Sequence, residues 1–166
     1  MKTFPRTLLW FATIWSAIWF GGQLFNALMI VPHFSRNPPD SLRAWGQMRF
    51  DNLADFFVLF APLWVFIALV ICVFLSRGIA GRIWIIASAC AAALAIGMLL
   101  WMVPIIAGLV QSPGTDAPAM VARLHQWTIA NWIRLVIDFV MFITALRALT
   151  LAGSRNGPDL NVAASD

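Results

Sequence analysis

The sequence has no tyrosine, no glutamate, a single lysine, two histidines and two cysteines, and only 11% of its residues are charged. Each shortage removes a class of chemistry. Without glutamate there is no HExxH zinc helix, and without a CxxC pair there is no thiol redox motif or cysteine metal site of ordinary spacing. A Walker loop, a glycine-rich dinucleotide turn and a Ser-His-Asp order are likewise missing. A soluble domain of this size carries about 25% charged residues, so the scarcity of charge argues against one. The net charge of +4 and the pI near 10.5 would fit a nucleic-acid binder. Here, though, no basic patch is interleaved with exposed aromatic residues. The basic residues flank apolar runs instead, where they mark cytoplasmic loops and meet anionic headgroups. Membrane lipid is therefore an expected partner, and nucleic acid is not.

What fills the 166 residues is apolar. The hydrophobic share is 61%, the mean hydropathy +0.84, and nine tryptophans are present. The apolar residues come in four runs, at about 7–31, 52–75, 83–110 and 127–151, each near or above the roughly 20 residues that span a bilayer. These predict an all-α fold: an integral membrane four-helix bundle forming one domain over 1–151, with a polar cytoplasmic tail at 152–166. Short interfacial helices are expected in the two longer loops, at 41–50 and 119–126. The first run follows Lys2 and Arg6, as a signal peptide would. Its length, its Trp10, Trp15 and Trp19, and the want of a small-x-small exit make it a retained helix. Pro62 and Pro104 are expected to kink their helices.

Orientation follows from the flanking charges. The termini and the 76–82 turn share one side, with Lys2, Arg6, Arg77, Arg82, Arg147 and Arg155. The other side has Arg36, Arg43, Arg49 and Arg123, offset by Asp40, Asp51 and Asp116. The expected arrangement is a multi-pass protein of the cell (inner) membrane with both termini cytoplasmic.

At 100° per residue, positions three, four and seven apart share a helix face. Trp15, Trp19, Gly22, Asn26 and His33 fall together on the first span, with Gln23 beside them. Arg49, Asn52 and Asp55 align at the start of the second. Gly97, Trp101, Pro104, Gly108 and Gln111 make one face of the third. Trp127, Asn131, Arg134 and Asp138 make an arc on the fourth, just after His125. At about 1.5 Å per residue, Asn26 and Arg134 lie roughly 10 Å inward from the span ends. The groups thus converge on one layer in the outer half. An ionised side chain facing hydrocarbon costs several kcal/mol, so these should face inward and pair: Arg134 with Asp138 along its helix, or Arg49 or Arg134 with Asp55 across helices. As interhelical glue such residues contribute about 1 kcal/mol each. Two Arg, two Asp and two His in one layer exceed what packing requires, and a functional site is the expectation. His33 and His125, with Asp55, are the candidate ligands for a transition metal or haem iron. Trp15, Trp19 and Trp101 either wall a pocket for a planar aromatic molecule or fill the core.

Three segments resemble the anthrone oxygenase-like family of small four-helix membrane proteins, over nearly the whole chain. They are Gly22-Gln23-Leu24-Phe25 leading to Val31-Pro32, Met102-Val103-Pro104, and Trp127-x-x-x-Asn131-x-x-Arg134, the last the most specific. The resemblance implies oxygen-dependent oxidation of a polycyclic phenolic anthrone to an anthraquinone, with no cofactor required. Asn131, Arg134 and Pro104 carry over by position. The chain departs from the family at Trp132, where a His is common, and at Ile105 and Ile106, where Asn residues are common. Those departures bear on the specific reaction. Trp19, Gly21 and Gly22 also resemble copper-resistance and haem-biosynthesis membrane proteins, which carry a His on that helix where this chain has none. On the oxidoreductase reading, His125 or Asp55 is the base and Arg134 stabilises an enolate-type anion. Asn26, Asn131, Trp19, Trp101, Arg49 and Gln111 bind the lipophilic aromatic or quinone-like substrate. The alternatives are a non-catalytic quinone-, haem- or metal-binding subunit, and an oligomer or assembly subunit of a larger membrane complex.

Overall fold

In a computed structural model of the chain, residues 3–47, 61–76, 81–111 and 117–154 are described. Among them there is no strand. The elements are α1 (Thr3–Phe25), a π-helical turn (Asn26–Ile30) that runs directly into α2 (Val31–Phe34), α3 (Asp40–Gln47), α4 (Pro62–Leu75), α5 (Arg82–Gln111) and α6 (Ala117–Ser154). Three stretches are long and apolar enough to cross a membrane: Phe4–His33, Arg82–Leu109 and Pro118–Gly153, with mean hydropathies of 1.4, 2.4 and 2.0. The protein is a membrane protein by this measure, since about 20 apolar residues cover the roughly 30 Å of hydrocarbon. A shorter apolar helix, Pro62–Leu75, packs with them.

The long helices touch in cyclic order: α1 with α4, α4 with α5, α5 with α6 and α6 with α1. The closest of these seams is made of small residues. Ser88, Ala92 and Ala95, at spacings of four and three on α5, are buried, as are Ala145, Ala148 and Ala152 of α6. Without side-chain bulk the two backbones approach closely, and dispersion contacts replace the hydrophobic drive that lipid cannot supply. The Ser88 hydroxyl crosses the seam and donates to the Met141 carbonyl at 2.8 Å. At the turn into α5, Gly81 adopts φ +95 with the Leu151 Cβ 3.3 Å from where a side chain would begin. Only glycine meets both demands without strain.

Large apolar side chains cover the outside. On α6 the exposed row is Ile129, Ile133, Val136, Val140 and Ile143, all at least 40% exposed. Soluble monomers rarely expose such a continuous patch, and a bilayer removes the penalty. Cys90 lies on this exposed side of α5, whereas Cys72 is buried and its thiol donates to the Pro5 carbonyl at 3.6 Å. A lipid-soluble maleimide should therefore label Cys90 in intact membranes and leave Cys72 largely unmodified. Peptide mass mapping reads this out, and comparable labelling of both thiols would contradict the packing of α1 on α4.

Several expected boundaries move. The surface helix expected at 119–126 is the first part of α6, continuous with the span, so His125 sits inside a helix rather than before one. The helix expected at 41–50 forms as α3, with Leu42 fully buried. Pro62 does not kink a helix but starts one. Ala61 before it is extended (ψ 144), because the proline ring clashes with an α conformation at the preceding residue, while the first helical turn has no use for its missing N–H. Pro104 lies within α5 without ending it. The part of the second span before residue 61, the 152–166 tail beyond Ser154, Arg49 and Asp55 all lie outside the described residues.

Candidate functional site

The interior is divided into three levels. One apolar cluster contains Leu9, Val65, Leu69, Ile85, Met141 and Leu149, and reaches Trp19. A second, nearer the other end of the helices, contains Val31, Leu42, Met102, Leu109, Leu124 and Trp127. Between them on α1 and α6 lie the buried polar side chains Gln23, Asn131, Arg134 and Asp138, with exposures of 1%, 2%, 6% and 0%. The sequence on α6 produces this directly. Residues 127, 131, 134 and 138 advance by four, three and four, so one face stays inward over three turns.

The cluster centres on Arg134. Its Nη2 donates to Asn131 Oδ1 at 2.8 Å, one turn back on the same helix. The same nitrogen donates across the α1–α6 seam to Gln23 Oε1. The guanidinium is thereby drawn away from Asp138. The sole ion pair within 4.0 Å among the described residues is the exposed Arg43–Asp40 contact at 3.2 Å, so the direct Arg134–Asp138 pairing read from the spacing is not formed. Asp138 has Arg134 as its electrostatic neighbour and the Trp19 indole N–H as its hydrogen-bonding one, and its two carboxylate oxygens have acceptor capacity beyond that contact. Arg134 Nε and the Gln23 amide nitrogen have no hydrogen-bond partner among the described residues. By contrast, the hydroxyls of Thr13, Ser16, Thr128 and Thr144 donate to carbonyls of their own helices, the ordinary way to satisfy a hydroxyl in an apolar setting. An unmade hydrogen bond on a buried group costs about 1–3 kcal/mol, more when charged. Donors and acceptors left open at the centre of the molecule are therefore available to a ligand.

Of the candidates read from the sequence, Arg134, Asn131 and Trp19 come together as expected. Asn26 is half-buried at the start of the π turn, beside the cluster rather than in it. The buried face of α1 runs through Leu9, Ala12, Ser16, Trp19, Gln23 and Ala27, about one position round from the expected stripe. Gln23, read only as a neighbour of that stripe, thus becomes its central polar group. The signal was present, since Trp19 and Gln23 are four apart. Trp101 is 56% exposed and faces away from the interior. Trp15 is half-buried and stacks on Phe11 with ring centroids 4.8 Å apart. The three-tryptophan wall is therefore not assembled. His33 and His125 are both exposed. His125 stands nine residues from Arg134 on one helix, about 13 Å along its axis, too far to share one small ligand atom. No group of three His, Cys, Asp or Glu gathers among the described residues. Gln111 ends α5, and its side chain lies outside what is described.

Comparison with known proteins finds no matching family model, no matching curated protein and no matching solved structure.

Proposed function

We propose that the chain is a four-span protein of the cell (inner) membrane, with both termini cytoplasmic and α3 lying at the outer interface. In this reading it is an oxidoreductase of the anthrone oxygenase-like kind. The buried layer of Gln23, Asn131, Arg134 and Asp138 binds a lipophilic aromatic or quinone-like molecule that arrives from the bilayer. The observation that carries the reading is the open hydrogen-bonding capacity of that layer. Residues acting purely as glue satisfy one another, whereas here the guanidinium Nε–H, an amide N–H₂ and a carboxylate all have capacity to spare. A planar molecule with carbonyl or phenol oxygens at its edge matches that set.

Conversion of a ring CH₂ to a carbonyl by dioxygen is balanced: the carbon loses two hydrogens and gains one oxygen atom, and the second oxygen leaves as water. Proton loss from the ring carbon leaves an enolate-type anion, and a fixed cation in a dry site stabilises such charge strongly. Arg134 is that cation, oriented by Gln23 and Asn131. With His125 about 13 Å from Arg134 along α6, this reading assigns the proton acceptor to a carboxylate, Asp138 or Asp55, in place of His125.

The test uses detergent-purified full-length protein with anthrone and menadione as probes, following binding by fluorescence and oxygen uptake by electrode. Asn131→Ala is expected to weaken binding about tenfold, the loss of one hydrogen bond to a charged network. Binding with no oxygen uptake from either probe would make the chain a non-catalytic quinone-binding subunit. Binding of neither probe by the wild-type protein would end the reading.

A further inference from the structure

The α1–α6 seam changes character along its length. Below Gln23 it is shut: Phe20 of α1 and Phe139 of α6 pack with ring centroids 5.4 Å apart. Above Gln23 it opens into a groove of about 340 Å³ between the π turn and the first half of α6. On α6 four of the five lining residues, Val121, His125, Thr128 and Trp132, succeed one another at spacings of four, three and four, with Leu124 beside them, forming one stripe next to the buried polar one. On the other wall stand Ala27, Val31 and Ser35. Ala27 is one turn beyond Gln23, and Thr128 and Trp132 bracket Asn131. The groove's lining thus stops one helical turn from Gln23 on α1 and at a sequence neighbour of Asn131 on α6, and contains none of the four polar residues themselves.

Its walls are mostly apolar but carry polar groups at intervals. His125 is exposed at the mouth end, the Thr128 hydroxyl donates to Leu124 and keeps its lone pairs, and the Ser35 Oγ is buried with no partner among the described residues. The π turn belongs to the same device. It takes one residue more per turn than an α-helix, a feature common at functional sites, and it places Ala27 and Val31, small and β-branched, on the groove wall. The volume is at the low end for small-molecule sites, which run about 300–1,000 Å³. It suits a two- or three-ring planar molecule and is small for a two-chain phospholipid.

We infer that this groove is the passage by which a planar phenol- or quinone-type molecule travels between the membrane surface and the Arg134 cluster, along the stripe from Val121 to Trp132. The inference rests on the reading of the cluster as a ligand site and adds its route. The Phe20–Phe139 contact makes the passage blind, so the ligand enters and leaves by the same end.

A passage and a binding site respond differently to narrowing. A narrowed passage slows entry and exit together and leaves the equilibrium unchanged, whereas damage to a site raises the dissociation rate. Val121→Phe, at an exposed position, and Thr128→Leu narrow the groove. Ala93→Phe is the control, filling a separate apolar groove between α4 and α5 that Phe66, Val70 and Cys90 also line. Wild type and variants in lipid nanodiscs are mixed rapidly with menadione while quenching of tryptophan fluorescence is followed. Both groove variants should lower the association and dissociation rates by about tenfold each with Kd unchanged, and Ala93→Phe should change neither. Unaltered rates in both groove variants would overturn the passage, and the cluster reading would then stand or fall separately on loss of binding in Arg134→Gln. Faster dissociation with a raised Kd would also overturn it, making the groove a binding site of its own. Failure of menadione to bind the wild type, which would remove the cluster reading for this ligand class, would remove the passage with it.

Discussion

If the proposed oxygenase reading holds, replacing Arg134 by Gln should lower turnover of anthrone by about a hundredfold to a thousandfold, the usual cost of removing one preorganised charge stabiliser. Arg134 is the hub of the buried layer: one of its nitrogens holds both Asn131 and Gln23, and its Nε remains open. Lysine should not restore activity, because a single ammonium cannot hold two partners and face a ligand as a planar fork does. The substitution also has a structural cost that must be separated from the catalytic one. Asp138, fully buried one turn away, loses its only cationic neighbour among the described residues. Although the two are not directly paired, a buried carboxylate left without a nearby counter-charge is destabilising. The double variant Arg134→Gln, Asp138→Asn removes both charges and should regain most of the lost thermal stability in detergent, yet remain inactive. If the single variant keeps full turnover, or the double variant recovers it, Arg134 has no role in the chemistry and the layer is packing.

Trp19→Ala should be the most destabilising single change in the interior, by about 3–5 kcal/mol. The side chain is fully buried and heads the fully buried residues by volume. It belongs to the apolar cluster on one side and neighbours Asp138 on the other, so its removal opens a void at the border of the two levels. Trp19→Phe should recover much of the stability while leaving Asp138 without its indole neighbour. Trp101→Ala provides the contrast. With 56% of its surface exposed, its loss should stay within about 0.5 kcal/mol. Thermal unfolding of the purified variants measures all three, and equal losses for Trp19 and Trp101 would contradict the orientation of α1 and α5.

The candidate site was legible in part, and the division has a cause. On α6 the spacing of Trp127, Asn131, Arg134 and Asp138 required a single face, and all four are buried. A long unbroken α-helix keeps its register, so sequence spacing and direction in space agree. On α1 the buried face lies about one position round from the expected stripe, which exchanges Asn26 for Gln23. A stripe read from residue types tolerates such a rotation because Trp15, Trp19 and Gly22 are compatible with either face, and packing against α6 decides between them. Beyond Gln23 the π turn advances the register again and leaves His33 outside. Pairing was less legible still. Two charges one turn apart read as an ion pair, but the spacing carries no information about Gln23, which competes for the guanidinium from another helix.

Hydrophobic length by itself determined that the chain is helical with stretches long and apolar enough to cross a membrane, because lipid forces backbone hydrogen bonds into helices whatever the tertiary detail. Which way α1 turns about its axis, which polar groups meet, and which stay open to a ligand were decided only in the tertiary structure. The reason is that these follow from differences of one residue in register and from contacts between α1 and α6, which the spacing along a single helix narrows but does not fix.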